Sequence, residues 1–257
     1  MSRGRRRLVR RAVVLAACGA AAAAQAQTTD GSTIGAAADA FGTSVGRESI
    51  GLYSASDVRG FSPYAAGNIR LEGLYIDAVA LPNNRLARGS TIHVGIASQG
   101  YPFTAPTGIA DYRLRLPGPD ARGSVVLGAD AFGGVNGELN LQAPLGASAQ
   151  FGAGLTVADD VTYWGGEVTH VTAAGLARWR PHADVDVIPF ASYFAHRDEP
   201  TNPRLITAGD HLPPELPRVR YYGQRWADWT MEDLNLGGLA RVRAGDWRLA
   251  GGVFRSI

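Results

Sequence analysis

The chain has 257 residues, with 25 Lys or Arg against 23 Asp or Glu, so its formal charge is +2. Six of the basic residues lie within positions 1–26, and without them 19 basic residues face 23 acidic ones, a formal charge of about −4. A nucleic-acid-binding protein needs a basic face on its mature domain, so this balance argues against that class. The length exceeds that of a usual single domain, although a β-barrel of this size can be one domain.

Residues 1–26 have the pattern of a secretory signal. An arginine-rich start is followed by a mostly apolar run, Ala12 to Ala23, and by a small-x-small cleavage site, Ala24-Gln25-Ala26. The alternative is a lipoprotein signal, because Leu15-Ala16-Ala17-Cys18 looks like the site at which a bacterial lipoprotein is cut and lipidated. Cys18 is the only cysteine, so the secretory interpretation leaves a mature chain without disulfides or thiolate metal ligands.

Two motifs follow the signal: Val58-Arg59-Gly60-Phe61-Ser62-Pro63, and Asn68-Ile69-Arg70-Leu71-Glu72-Gly73-Leu74-Tyr75-Ile76-Asp77. The second predicts two short strands joined at Glu72-Gly73, where glycine accepts a positive φ. Taken alone it fits an ordinary hairpin of any β protein. Together, the two motifs resemble the plug domain of TonB-dependent outer-membrane receptors, which are 22-stranded barrels closed by an internal plug.

Residues 27–40 are rich in Thr, Gly, Ala and Ser with little periodicity, which suggests a flexible lead. The resemblance implies a plug domain at about 41–122 and the first barrel strands at 123–257. It implies a receptor, not an enzyme, that lies in the outer-membrane lipid of a Gram-negative bacterium and has no cofactor. Such a receptor imports a scarce ligand, such as a ferric siderophore or another nutrient, with energy relayed by the inner-membrane protein TonB. The family keeps its energy-coupling box in the N-terminal segment, where this sequence has no convincing match. The loop 98–108 also departs from the family's Arg-Gly-Pro wording, which leaves the ligand open.

Seven segments after Gly123 alternate between apolar and polar residues. They lie at about 124–132, 135–143, 149–157, 167–180, 183–195, 230–243 and 246–257. In the second of them, Val135, Leu139, Leu141 and Ala143 share one face, and Asn136, Glu138, Asn140 and Gln142 share the other. Most match the ~9 to 11 residues that cross a bilayer at a tilt. Short and long connections broadly alternate, as periplasmic turns and extracellular loops do.

The predicted fold class is therefore mainly β: an N-terminal plug followed by antiparallel strands of an incomplete transmembrane barrel. No segment after the signal reaches the ~18 apolar residues of a membrane helix, so a membrane crossing would use strands. Seven strands are too few for the family's barrel, and open sheet edges are costly in hydrocarbon. The sequence thus predicts the N-terminal part of a longer receptor.

The candidate site residues come from the plug. The plug motif and its contacts with the barrel wall are assigned to Arg59, Gly60, Asn68, Arg70, Glu72 and Gly73. Arg59 or Arg70 is expected to pair with a wall acid, for which Glu138, Asp184 and Asp186 are the candidates. The alternative is that the charged motif residues are simply exposed on a small sheet. Loops 78–90 and 98–108 are expected to be plug tips, with ligand contacts at Asn83, Asn84, Arg85, Tyr101 and Phe103.

No pattern in the chain points to catalysis or to a resident metal. The five histidines lack the short spacings of a zinc site, and without lysine there is no Walker-type phosphate loop. Two other functions stay open at this point. One is a passive outer-membrane barrel or pseudo-receptor without energy coupling. The other is a secreted soluble β-sandwich that acts as an enzyme or a binding module.

Overall fold

The structure is a computed structural model that describes residues 55–58, 60–105, 107–204, 206, 208–210, 215, 217–224 and 226–257, and the backbone of 35–39 and 42–46. The predicted secretory signal and Arg59 lie outside the described residues. Among the described residues, no helix combines the length and apolarity that a membrane crossing requires.

The N-terminal half forms a six-stranded mixed sheet, here called the small sheet. Its strands are β1 Gly35–Asp39, β2 Gly42–Gly46, β3 Ile69–Leu71, β4 Leu74–Tyr75, β5 Ala87–His93 and β6 Ile109–Leu114, in the order β2-β1-β5-β6-β3-β4. A short 3-10 helix, Gly95–Ser98, follows β5. The strand β1 lies within the segment expected as a flexible lead, yet it pairs in parallel with β5. The N-terminal segment therefore joins the sheet directly beside one of its central strands.

The C-terminal half forms a seven-stranded antiparallel sheet, here called the large sheet. Its strands are β7 Arg122–Ala129, β8 Val135–Pro144, β9 Ala149–Val161, β10 Glu167–His182, β11 Val185–Pro200, β12 Asp228–Ala244 and β13 Trp247–Ser256. Each overlaps one of the seven segments predicted from alternation, so those strand predictions are confirmed. The described strands form an open sheet in sequence order, with β7 and β13 at its edges.

Strand register gives the large sheet two different faces. One cross-strand row joins Glu138, Thr156, Thr172, Phe194 and Asp233, and the next joins Leu139, Leu155, Ala173, Tyr193 and Leu234. The first row lies on the face that meets the small sheet, because Glu138 accepts a hydrogen bond from Arg85. The opposite face includes the exposed side chains of Leu141, Leu249 and Val253. The large sheet is thus partly polar inside and mainly apolar outside, as the alternation predicted.

The two sheets share one hydrophobic core. Leu71, Ile76 and Leu86 of the small-sheet region are buried in the same cluster as Ile188 of β11 and Leu239 of β12. Ile188 and Leu239 are only 0% and 2% exposed, although they belong to the large sheet, because the small sheet covers them. Burying a side chain of this size contributes about 1.5 to 3 kcal/mol. Apolar contacts therefore hold the small sheet against the large one, and polar contacts between the two sheets add to them.

Connection lengths distinguish the two ends of the large sheet. The turns 145–148, 183–184 and 245–246 are short and lie at one end, here called the short-turn end. The connections 162–166 and 201–227 lie at the other end. The link 130–134 also lies there and is closed by Asp130, whose Oδ1 accepts hydrogen bonds from the backbone N–H groups of Phe132 at 2.7 Å and Gly134 at 2.8 Å.

Candidate functional site

The predicted tight turn at Glu72-Gly73 is present, and both residues have positive φ, 54° and 85°. A two-residue turn of type I′ requires this conformation at both positions. Glycine adopts it freely, whereas a left-handed glutamate costs about 1 to 2 kcal/mol. The Glu72 side chain compensates, because Oε1 accepts a hydrogen bond from the Leu114 N–H at 2.6 Å. The turn is therefore stabilised by contacts from β6 as well as by its glycine.

Glu72 also joins the small sheet to the large one. Its Oε2 accepts a hydrogen bond from Arg241 Nη2 on β12 at 2.6 Å, and Arg113 lies 3.6 Å from the same oxygen. The Glu72 side chain is 8% exposed and that of Arg241 is 35% exposed. A charge-assisted hydrogen bond of this kind is stronger than a neutral one. Glu72 therefore contacts the large sheet close to the short-turn end.

Arg70 does not pair with an acid of the large sheet, which was the expected arrangement. Its Nη1 donates to the Ile69 carbonyl at 3.0 Å and its Nη2 to the Phe103 carbonyl at 2.9 Å. The guanidinium lies over the Tyr75 ring, 4.8 Å from its centroid. Burial lowers the pKa of Arg70. The Arg70 guanidinium thus makes its hydrogen bonds within the small-sheet region, and one of them holds the loop that contains Phe103.

The remaining motif residues shape the chain before β3. Gly60 has φ 83°, and its N–H donates to Asp57 Oδ1 at 2.9 Å within the turn between Val58 and Phe61. The Asn68 N–H donates to the Pro63 carbonyl at 2.7 Å, and the Asn68 carbonyl accepts from Ala110 at 3.1 Å. These bonds set the start of β3 beside β6.

The segment Asn83-Asn84-Arg85, expected to contact a ligand, instead supplies most of the polar contact with the large sheet. Arg85 is 3% exposed, and its Nη1 donates to Glu138 Oε2 at 3.0 Å and to Asn140 Oδ1 at 3.2 Å. Asn83 Nδ2 donates to the carbonyls of Ala173 at 3.2 Å and Tyr193 at 3.3 Å. Asn84 is exposed. The expectation of ligand contact is therefore compatible with Asn84 but not with the buried Arg85.

A glycine on the large sheet makes room for Arg85. A Cβ placed on Gly154 of β9 would lie 3.0 Å from Arg85 Cδ and 3.2 Å from Arg85 Cβ. A larger residue at position 154 would therefore push the arginine away from Glu138 on the neighbouring strand. The glycine and the ion pair form one local arrangement.

The two loops expected to be plug tips lie at opposite ends of the small sheet. Of the expected loop 78–90, residues 78–86 lead into β5 and residues 87–90 belong to that strand, whereas the loop 98–108 follows β5 and the 3-10 helix, so the length of β5 separates them. In the second loop, Phe103 is 82% exposed with φ 56°, a left-handed conformation that is strained for a bulky residue. The two loops therefore cannot both belong to the same tip of the small sheet.

Asp111 of β6 is the centre of a buried polar network that sequence reasoning missed. It is 0% exposed, and its Oδ2 accepts a hydrogen bond from the Tyr101 hydroxyl at 2.7 Å and lies 3.1 Å from Arg113 Nη2. Its Oδ1 accepts from the Gly73 N–H at 2.9 Å. Tyr101 also lies 3.0 Å from His93 Nε2, and burial lowers the pKa of His93. Tyr101, an expected ligand contact, is instead tied to the core, and Asp111 links its loop to the Glu72-Gly73 turn.

The sequence held a weak signal for this network. Asp111 lies between apolar residues in Ile109-Ala110-Asp111-Tyr112, where a buried strand would ordinarily have no charge. A buried carboxylate needs donors. The spacing does not reveal that the donors are Tyr101 and the turn at Gly73, which lies 38 residues away.

Tyr112 gives the small sheet a predicted alkaline sensitivity. Burial raises the pKa of Tyr112 to about 12, against about 10 in an unfolded chain. The neutral phenol is favoured by the fold, so its stabilising contribution is complete below pH ~10 and is lost as the pH rises through ~12. We expect the free energy of unfolding to fall by about 2 to 3 kcal/mol over this pH interval. Phenolate absorbance combined with urea unfolding measures both quantities. The substitution Tyr112→Phe should remove this loss, whereas replacing the exposed Tyr163 by Phe should not, and equal behaviour of the two variants would contradict the assignment.

Two histidines that are distant in sequence face each other on the large sheet. His170 and His196 are register partners on β10 and β11, with ring centroids 4.3 Å apart. His170 Nε2 lies 3.2 Å from Asp160, and His196 Nε2 lies 2.6 Å from Glu199. The described part of the chain contains no group of three or more His, Cys, Asp or Glu arranged to hold a metal ion.

The small mixed sheet packed on the partly polar face of a meandering antiparallel sheet is similar in fold to part of solved TonB-dependent outer-membrane receptors, as the resemblance implied. The matches include the Pseudomonas aeruginosa receptor FpvA bound to heterologous pyoverdines, with a TM-score of 0.59, 16% identity and 77% of this chain covered. They also include the pyoverdine outer membrane receptor FpvA of Pseudomonas aeruginosa PAO1 bound to pyoverdine, with a TM-score of 0.57, 16% identity and 87% of this chain covered. The FpvAI complex with pyocin S2 matches with a TM-score of 0.53, 14% identity and 70% of this chain covered.

This likeness covers only part of those receptors. The chain spans 28%, 33% and 26% of their respective lengths. No protein-family model and no curated protein matches the sequence. At such identities the likeness shows the fold alone.

Proposed function

We propose that the small sheet is the plug, and the large sheet the first wall strands, of an outer-membrane TonB-dependent receptor that imports a scarce ligand such as a ferric siderophore. The observation that supports this most directly is the pair of contacts, Arg85 with Glu138 and Glu72 with Arg241, that attach the small sheet to the large one. A solvated lumen tolerates such polar contacts, whereas lipid does not.

The outward face supports a membrane location. Its middle rows consist mainly of Leu, Val and Ala, and Trp179 and Trp247 lie near the short-turn end. Aromatic side chains at strand ends match the interfacial girdles of outer-membrane barrels. Outer-membrane lipid is therefore the proposed surrounding of this face. The exported chain would lie in the outer membrane of a Gram-negative bacterium.

The proposed ligand is small and is bound by exposed side chains of the plug, with no enzymatic step. Phe103 offers an exposed aromatic ring on a strained loop, and strained residues often belong to functional sites. Asn84 offers an exposed amide on the other loop. The solved FpvA structures with a similar fold hold pyoverdine, which supports the choice of a siderophore class.

Energy coupling is the part of the proposal that separates this function from a passive barrel. TonB would act on the N-terminal segment, and the pairing of β1 with β5 gives a path from that segment to the centre of the plug. We expect detergent to be needed to extract the protein, and ferric-siderophore uptake to stop when a protonophore collapses the proton gradient. Uptake that persists would favour a passive barrel. Recovery in the soluble periplasm without detergent would contradict the membrane location itself.

A further inference from the structure

The short-turn end of the large sheet contains a cavity of about 330 Å³ between the β10–β11 and β12–β13 hairpins. Five arginines line it: Arg178, Arg180, Arg241, Arg243 and Arg248. Two carboxylates, Asp184 and Asp186, also line it, so the cationic groups exceed the anionic ones by three. Neither the fold nor the proposed transport function requires this excess of positive charge.

Two of the five arginines already have anionic partners. Arg178 is held by Asp186, with Nε 2.9 Å from Oδ1 and Nη2 2.7 Å from Oδ2. Arg241 is held by Glu72 of the small sheet. Among the described residues, the structure gives the side chains of Arg180, Arg243 and Arg248 no carboxylate partner. Three guanidinium groups are therefore available in one cavity.

The strand register places two of these free cations against each other. Arg243 of β12 and Arg248 of β13 are direct cross-strand partners. Like charges directly opposite each other on a sheet are destabilising. Of the two carboxylates that line the cavity, Asp186 is committed to Arg178, and among the described residues Asp184 makes no ion pair with Arg243 or Arg248. A bound anion would provide the missing compensation.

We propose that this cavity binds a small polyanion through phosphate or carboxylate groups. Guanidinium groups are planar and bind such oxygens in pairs, which makes arginine the preferred residue for this recognition. The volume lies at the lower end of the usual range for small-molecule sites, ~300 to 1,000 Å³. A free phosphate compound and the phosphate of a lipid headgroup have the same chemistry and are the two possible sources.

The position of Arg241 connects the anion site to the small sheet. Arg241 lines the cavity and also donates to Glu72, so a bound anion competes with Glu72 for the same guanidinium. Weakening the Glu72 contact should then strengthen anion binding, and the reverse follows by linkage. This inference does not depend on which ligand is transported, or on transport at all.

Calorimetric titration of the full protein in an uncharged maltoside detergent with inorganic pyrophosphate tests the proposal. We expect saturable binding that weakens as salt rises. The double substitution Arg243→Gln with Arg248→Gln should reduce affinity about tenfold or more, and the corresponding double lysine variant should lose less. Glu72→Gln should increase affinity about threefold to tenfold, because Arg241 is released. Arg122→Gln on β7, whose arginine is exposed and paired with Asp120, is the matched control and should bind as the unmodified protein does.

A second titration with phosphatidylglycerol in mixed micelles separates the two sources. Binding of pyrophosphate that depends on Arg243 and Arg248 identifies a soluble anion. Dependence on the same two arginines with the lipid alone identifies a headgroup. The proposal is wrong if neither ligand binds, if the double glutamine variant binds as well as the unmodified protein, or if the Arg122 control loses affinity equally.

Discussion

Replacing Arg85 with alanine is expected to lower the free energy of unfolding of the small sheet by about 3 kcal/mol. The Arg85 side chain is 2% exposed, and its removal leaves Glu138 without its cation and empties the space over Gly154. Breaking a fully buried ion pair costs about 3 to 5 kcal/mol. The lower end applies here because Glu138, 31% exposed, keeps some contact with water.

Hydrogen–deuterium exchange of the β5 and β6 amides measures this loss where it occurs. Arg88→Ala is the matched control, because Arg88 is an exposed arginine on the strand that follows Arg85. Glu138→Gln completes a double-mutant cycle. If the two side chains interact, the sum of the two single losses in free energy of unfolding should exceed the loss in the double variant. Additive effects, or an Arg85 variant as stable as the Arg88 variant, would show that the contact does not hold the sheets together.

Replacing Asp111 with alanine is expected to be the most damaging single change in the small sheet, at about 3 to 5 kcal/mol. Asp111 is fully buried, and its loss removes the carboxylate oxygens that accept from the Tyr101 hydroxyl and the Gly73 N–H, and also removes a carboxylate beside the half-exposed Arg113. Unpaired buried donors each cost about 1 to 3 kcal/mol. The loop of residues 98–108 should become mobile together with the Glu72-Gly73 turn.

Urea unfolding and limited proteolysis of the Asp111 variant check both effects. Asp77→Ala removes an exposed carboxylate just after β4 and should change stability by less than about 0.5 kcal/mol. Tyr101→Phe removes only one of the three donors and should cost about 1 kcal/mol. An Asp111→Ala variant that keeps the loop protected from protease would contradict a central role for this carboxylate.

Local periodicity was sufficient to predict the strands of the large sheet, but not β1, which lies in a segment expected to be a flexible lead. The segment 135–143 alternates between apolar and polar residues, and β8 spans Val135–Pro144 with those two faces. The Glu72-Gly73 turn was also predictable, because positive φ is a local property and glycine is suited to it. Strand ends were less certain, since β11 continues to Pro200 through pairing with β12 beyond its own apolar run.

Charge partners were not predictable in the same way. The sequence suggested that Arg59 or Arg70 would contact wall acids, but Arg70 turns inward to the Phe103 carbonyl. The contacts with the large sheet are made by Arg85, 53 residues before Glu138, and by Glu72, 169 residues before Arg241. Of the three candidate acids, Glu138 contacts the small sheet through Arg85, whereas Asp186 is held by Arg178 and Asp184 lies beside His182. The cation that reaches Glu138 lies in the connection before β5, whereas Arg70 lies on β3 and points into the small sheet.

By itself, the sequence of this protein determined a mainly β chain with a tight turn at Glu72-Gly73 and seven alternating strands, because these features depend on residues within a few positions of one another. Only the tertiary structure decided that Arg85 and Asn83 are contacts between sheets, that the two loops flank opposite ends of β5, and that five arginines meet in one cavity. The cavity depends on the pairing of strands within the large sheet, and the contacts of Arg85 and Asn83 depend on how the small sheet lies against the large one. That placement follows from burial of distant apolar side chains such as Leu71 and Ile188, which no short stretch of sequence contains.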